Sequence, residues 1–118
     1  MNADKNTIGM TPENRSVMDK IIRRNLFDEQ MQAAKFAMSL AINADIEPGQ
    51  AVGTDTSWNV GSFDREGEIK NLLSALYPDN DTPYRLAEHL INSGLELVGR
   101  HFGERQDIVM TELIKTSP

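Results

Sequence analysis

The chain has 118 residues, no cysteine, and 18 acidic against 12 basic side chains, which leaves a net charge of −6 at pH 7. This length suits one domain, and the lack of cysteine excludes disulfides and thiolate chemistry. The negative charge disfavours a non-specific coat on nucleic acid. The chain begins without an apolar run of signal-peptide length, and no stretch approaches the roughly 20 apolar residues of a membrane span, so we expect a cytoplasmic protein that does not enter a membrane.

The start of the chain is polar and predicts a flexible N-terminal arm over residues 1–10, followed by a single helical domain over residues 11–116. Thr11 and Pro12 are typical of a helix start, because the hydroxyl accepts a first-turn amide and proline has no amide hydrogen to leave unpaired. Apolar residues then recur every three or four positions, which predicts a first helix over 12–25.

The next segment is apolar around most of its circumference and predicts a second helix over 28–44 at the centre of the core. Residues 45–63 have no helical period and several glycines, so we predict one long loop between helices two and three. A loop of this length is often functional. A short hairpin that pairs Val52 with Val60 is a weaker alternative inside it.

Two more helices follow. Ile69, Leu72, Leu73 and Leu76 form one apolar face of a third helix over 65–77, and a fourth helix covers 83–102. Residues 104–118 indicate a short closing helix. The predicted fold class is therefore all-α, a compact bundle of four to five helices.

Side chains for catalysis are sparse. His89 and His101 are the only possible histidine bases, and neither lies in a nucleophile motif, so structural roles are favoured for both. Twelve positions apart on one helix, they do not share a face and cannot chelate a metal together. Asp79 and Asp81 resemble the start of a calcium loop but lack its glycine and its final glutamate. We predict no catalytic residue, no cofactor and no metal.

Four basic side chains lie at helical spacing on the predicted first helix, namely Arg15, Lys20, Arg23 and Arg24. They form a candidate nucleic-acid-binding strip on an otherwise acidic protein. An ordinary solvated helix face is the alternative interpretation.

Trp58 is the single tryptophan and falls in the long loop, within GTDTSWNVGS. A loop tryptophan either closes the edge of a core or anchors an interface, and the sequence favours neither. Trp58 and the nearby Phe63 are our candidate interaction residues.

The order of three segments resembles the small DNA sulfur-modification protein family DndE. The segments are AMSLAINAD at the end of helix two, FDREGEIKNLLSALYPD, and AEHLINSGLELVGRHF. The similarity covers about residues 15–102. It implies a compact helical protein that self-associates and works beside DNA-modifying enzymes, with basic side chains touching a DNA backbone. The resemblance implies roles for two parts of this sequence. The basic strip on helix one would touch the DNA backbone, and the segment from His89 to Gly94 would be a packing element.

The leading functional hypothesis is a non-enzymatic interaction module. We expect a homo-oligomeric accessory subunit of a bacterial or phage DNA-modification or defence system, whose candidate partners are its own copies and another protein subunit. The alternative is a sequence-independent DNA-binding protein that uses the basic strip. A small hydrolase that uses His89 is the least favoured reading.

Overall fold

A computed structural model describes residues 3–104 of the chain. Helices dominate it, and two short strands accompany them. In chain order the elements are β1 (Thr7–Met10), α1 (Pro12–Arg23), α2 (Gln30–Asn43), β2 (Asp55–Asn59), α3 (Val60–Phe63), α4 (Glu68–Leu76) and α5 (Pro83–Glu104).

The predicted all-α class is wrong, because β1 and β2 pair as a two-stranded antiparallel sheet. Ile8 lies opposite Trp58, and Met10 opposite Asp55. The hairpin between Val52 and Val60 is likewise not formed. Strands of four and five residues are too short to give a clear alternating pattern, and their partners are far apart in the sequence, so local periodicity did not reveal them.

The prediction of a flexible arm over residues 1–10 is wrong for Thr7–Met10, which form β1. Ile8 and Met10 are completely buried and belong to the same core as the helices. Two apolar side chains at alternate positions of one strand point to one face of it, and here that face is the core. The domain therefore begins before Thr11.

The helix predictions are confirmed with small shifts at their ends. Thr11 caps α1, and its side-chain oxygen accepts a hydrogen bond from the Asn14 amide while Pro12 takes the first helical position. The long loop between the second and third predicted helices contains β2 and α3. Most of the predicted closing helix over 104–118 lies outside the described residues.

Helix α2 packs along α5 at the centre of the core, as its broad apolar surface predicted. Four of its alanines are almost fully buried, and these small side chains let the two backbones approach closely. The contact is tightest at Gly94, where a Cβ atom would lie 1.8 Å from the Ala37 carbonyl oxygen. Only glycine fits at this position unless the helices move apart.

We expect Gly94→Ala to lower the free energy of unfolding by about 3 kcal/mol, because the added methyl group pushes α5 away from the backbone of α2. Urea unfolding followed by circular dichroism measures the change. Gly61→Ala is the matched control, since nothing lies within 4 Å of a Cβ there. Equal stability of the two variants would contradict the close approach of α2 and α5.

Candidate functional site

A carboxylate buried in the core is the first feature to assess, because buried charges often mark functional sites. Glu88 on α5 is 1% exposed. Its carboxylate accepts hydrogen bonds from the Lys5 ammonium at 2.8 and 2.9 Å, from the Gly9 amide at 2.9 Å and from the Thr54 hydroxyl at 3.2 Å. The charge of Glu88 is therefore paired, and its oxygens are used to hold other segments.

Asn92 continues this cluster one helical turn further along α5. Its side-chain amide donates to the Gly9 carbonyl at 3.1 Å, and its oxygen accepts from the Thr11 amide at 3.1 Å and from the Asn14 side chain at 2.9 Å. Glu88 and Asn92 thus satisfy both backbone groups of Gly9, as a third strand would. Among the described residues no buried side-chain nitrogen or oxygen is left without a partner. We interpret the cluster as structural.

Two further carboxylates cap helices. Asp4 accepts from the Tyr84 and Arg85 amides, each at 2.9 Å, at the start of α5. Asp64 caps α4 and also accepts the Tyr84 hydroxyl at 2.7 Å. Burial acts to raise the pKa of Asp64, but these hydrogen bonds and the positive charge of Lys35 outweigh it and lower the pKa below 3.8. Burial and the neighbouring Asp64 carboxylate raise the pKa of Tyr84 to about 12.

The four residues of the predicted basic strip separate into two groups. Arg15 donates to the Asp55 carbonyl and to the Ser57 hydroxyl, both at 3.1 Å, so it holds β2. Lys20, Arg23 and Arg24 are exposed at the end of α1, where they line a cleft of about 310 Å³.

Within that group, the guanidinium of Arg24 lies 4.8 Å from the centre of the Phe102 ring. This cation–π contact orients the side chain. Three basic side chains thus line one cleft at the end of α1, which we call the basic cleft.

The two predicted interaction residues contact each other. The rings of Trp58 and Phe63 lie 5.4 Å apart at 37°. Phe63 is 1% exposed and belongs to the core, so it has no surface to offer a partner. Trp58 is half-buried against the Phe63 ring, as expected for a tryptophan that closes the edge of a core.

His89 contacts the long loop between α2 and β2. Its Nε2 atom lies 2.8 Å from the Glu47 carbonyl oxygen, and a Cβ at Gly49 would come within 2.9 Å of its ring. These contacts account for His89 as a residue that positions the loop. In the part of the chain that the structure describes, no three histidine, aspartate or glutamate side chains are grouped as metal ligands. None of the described helices is long and apolar enough to cross a membrane.

Helix α4 exposes two leucines of the apolar face that the sequence pattern predicted. Ile69 and Leu73 are buried as expected, but Leu72 is 46% and Leu76 49% exposed. The apolar face of this helix is wider than the neighbouring core can cover. Periodicity shows where apolar residues lie on a helix, and it does not show how far a neighbouring element extends over them.

The exposed leucines lie beside a cleft of about 410 Å³ that continues past the end of α4. Its lining residues are Pro48, Leu76, Tyr77, Pro78, Asp79 and Asn80. Burial raises the pKa of Tyr77, and the negative charge of nearby Asp45 raises it further. We call this cleft together with Leu72 the α4 face.

A second, smaller cleft lies on α2. It has a volume of about 250 Å³ and is lined by Phe36, Ser39, Leu40 and Asn43. None of these side chains is charged, in contrast to the surroundings of the α4 face. We call this surface the α2 face.

Comparison of the chain with protein-family models, with curated proteins and with solved structures finds no match.

We expect Lys5→Met to lower the free energy of unfolding by about 2 kcal/mol, because it leaves the Glu88 carboxylate buried without its cation. The double variant Lys5→Met/Glu88→Gln should recover part of this loss, since a neutral amide still accepts from Gly9. Chemical unfolding of both variants and of the parent chain measures the difference. A double variant no more stable than the single one would contradict the ion pair as the source of the loss.

Proposed function

We propose that this chain is a non-enzymatic interaction module, an accessory subunit of a bacterial or phage DNA-modification or defence system that acts in the cytoplasm. The observation that carries the proposal is the apolar surface exposed in clefts on two separate helices, the α2 face and the α4 face. Apolar side chains gathered in exposed clefts favour contact with other protein chains. The buried polar groups of Glu88 and Asn92, by contrast, are fully used within the fold.

The resemblance to the DndE family supports the biological setting of this proposal. The resembling segments include half of α2, all of α4 and most of α5, so most residues of both exposed faces lie inside them. The segment from His89 to Gly94 was expected to act as a packing element. It contains Gly94, which contacts the backbone of α2.

We propose self-association through the α2 face. Phe36 is half-buried, Ser39 is small and exposed, and the cleft between them has no charged lining residue. Two copies can therefore meet here about a two-fold axis without bringing like charges together. The α4 face is less suited to pairing with itself, because Asp79 lines it and Asp45 lies close by.

Light scattering coupled to size-exclusion chromatography tests this assignment. We expect the parent chain to have a mass of at least twice 13.2 kDa. Ser39→Glu should return it to the monomer mass, because it places like charges at the centre of the contact. Ser74→Glu on the exposed side of α4 is the matched control and should leave the mass unchanged.

A clean 13.2 kDa species for the parent chain would contradict self-association. A multimer that Ser39→Glu leaves intact would instead contradict the α2 face as its contact. Circular dichroism of each variant verifies that the helices remain folded.

A sequence-independent DNA-binding protein is the second candidate function, and the basic cleft favours it. Lys20, Arg23 and Arg24 together line one concave surface, which suits contact with phosphate oxygens. Arg15 is excluded from this set because it already donates to β2.

If the basic cleft binds DNA, affinity for a fluorescent duplex should fall steeply as salt rises, since bound phosphates release counterions. Arg23→Glu should weaken binding and lower the logarithmic salt slope by about 1. Arg65→Glu is the matched control, an exposed arginine outside the cleft. No binding at low salt, or equal weakening by Arg65→Glu, would end this candidate.

A further inference from the structure

We infer that the α4 face binds a short amphipathic helix of a partner protein, one that carries apolar side chains flanked by lysine or arginine. This inference rests on the proposed function as an interaction module and names the chemistry of its partner. It concerns a different surface from the α2 face.

The apolar part of the proposed binding surface lies on α4 itself. Of the three large apolar side chains that are markedly exposed among the described residues, two are Leu72 and Leu76. They are four positions apart and so lie one above the other on the same side of the helix. The adjoining cleft, lined by Pro48 and Tyr77, gives an apolar side chain of a partner a place to insert. The two leucines and the cleft together match the side-chain spacing of an amphipathic helix.

The charged part of this surface lies around the cleft. Asp79 is one of its lining residues, and Asp45 is close enough to raise the pKa of Tyr77. Glu47 and Asp81 adjoin the lining residues in sequence and are exposed. In the described part of the chain, none of these four carboxylates forms a salt bridge with a lysine or arginine. The rim of the cleft is therefore negative and available to cations of a partner.

The same charges argue against other occupants. A second copy of this chain would bring four more carboxylates to the contact, and the phosphates of DNA would also be repelled. Lys70 is the basic residue of α4. It lies about half a turn around the helix from Leu72, so its charge is directed away from the two exposed leucines. A cationic segment is the occupant whose charge complements the whole face.

Titration of the isotope-labelled full chain with two synthetic helical peptides tests the inference by NMR. The first peptide has leucines one turn apart flanked by lysines, and the second replaces each lysine with glutamate. We expect the lysine peptide to shift amide signals from Leu72 to Asn80. The glutamate peptide should bind at least about ten-fold more weakly, since several rim charges each contribute a modest attraction.

Single variants locate the contact. We expect Leu76→Ser to weaken binding of the lysine peptide by about five-fold, because it removes apolar area that the peptide covers. Asp79→Asn should weaken it by about two-fold and reduce its dependence on salt. Val52→Ser is the matched control, since Val52 is 81% exposed but is not a lining residue of the cleft. It should leave binding unchanged.

Three results would overturn the inference. The first is no shift at the α4 face with the lysine peptide, and the second is equal binding of the two peptides. The third is a fall in the mass of the free chain when Leu72 and Leu76 are both changed to serine, because a second copy would then occupy the face. Failure of the self-association proposal is recognised separately, from the mass of the parent chain and of Ser39→Glu.

Discussion

The fold depends on the hydrogen bonds that the side chains of Glu88 and Asn92 form with the backbone of Gly9. The two side chains hydrogen-bond its amide and its carbonyl, groups that a neighbouring strand would otherwise have to satisfy. This attachment seats β1 against α5, and β1 is the one neighbour of β2 in the sheet. The same carboxylate holds Thr54, just before β2. The position of the segment between α2 and α4 thus follows from two polar side chains on a single helix.

The sequence predicted the helices and missed the features that depend on distant partners. A spacing of three and four residues is a local property, so α1, α2, α4 and α5 were found with small errors at their ends. The strand β1 was read as a flexible arm because its partners in β2 and α5 cannot be inferred from nearby residues. Leu72 and Leu76 were predicted to share one apolar face with Ile69 and Leu73, and their exposure was not predicted because it depends on how far α5 covers α4. The sequence also did not reveal that Arg15 of the predicted basic strip donates to β2, because its acceptors there are about 40 positions away.

Charge is distributed unevenly over this acidic molecule. Three basic side chains line the basic cleft at the end of α1, whereas the α4 face combines apolar side chains with Asp79 and has Asp45 close by. The α2 face lies on the central helix and has no charged lining residue. Because these three surfaces differ in chemistry, the proposed interaction module would select a different kind of partner at each of them.

The attachment of β1 to α5 also affects how the protein forms during translation. Gly9 and Glu88 are separated by 79 positions, and Asp4 and Tyr84 by 80. Asp4 and Gly9 are therefore synthesised long before the helix to which they bond. The amide and the carbonyl of Gly9 can bond to Glu88 and Asn92 only after α5 has been synthesised, so the attachment of β1 to α5 is a late step in folding.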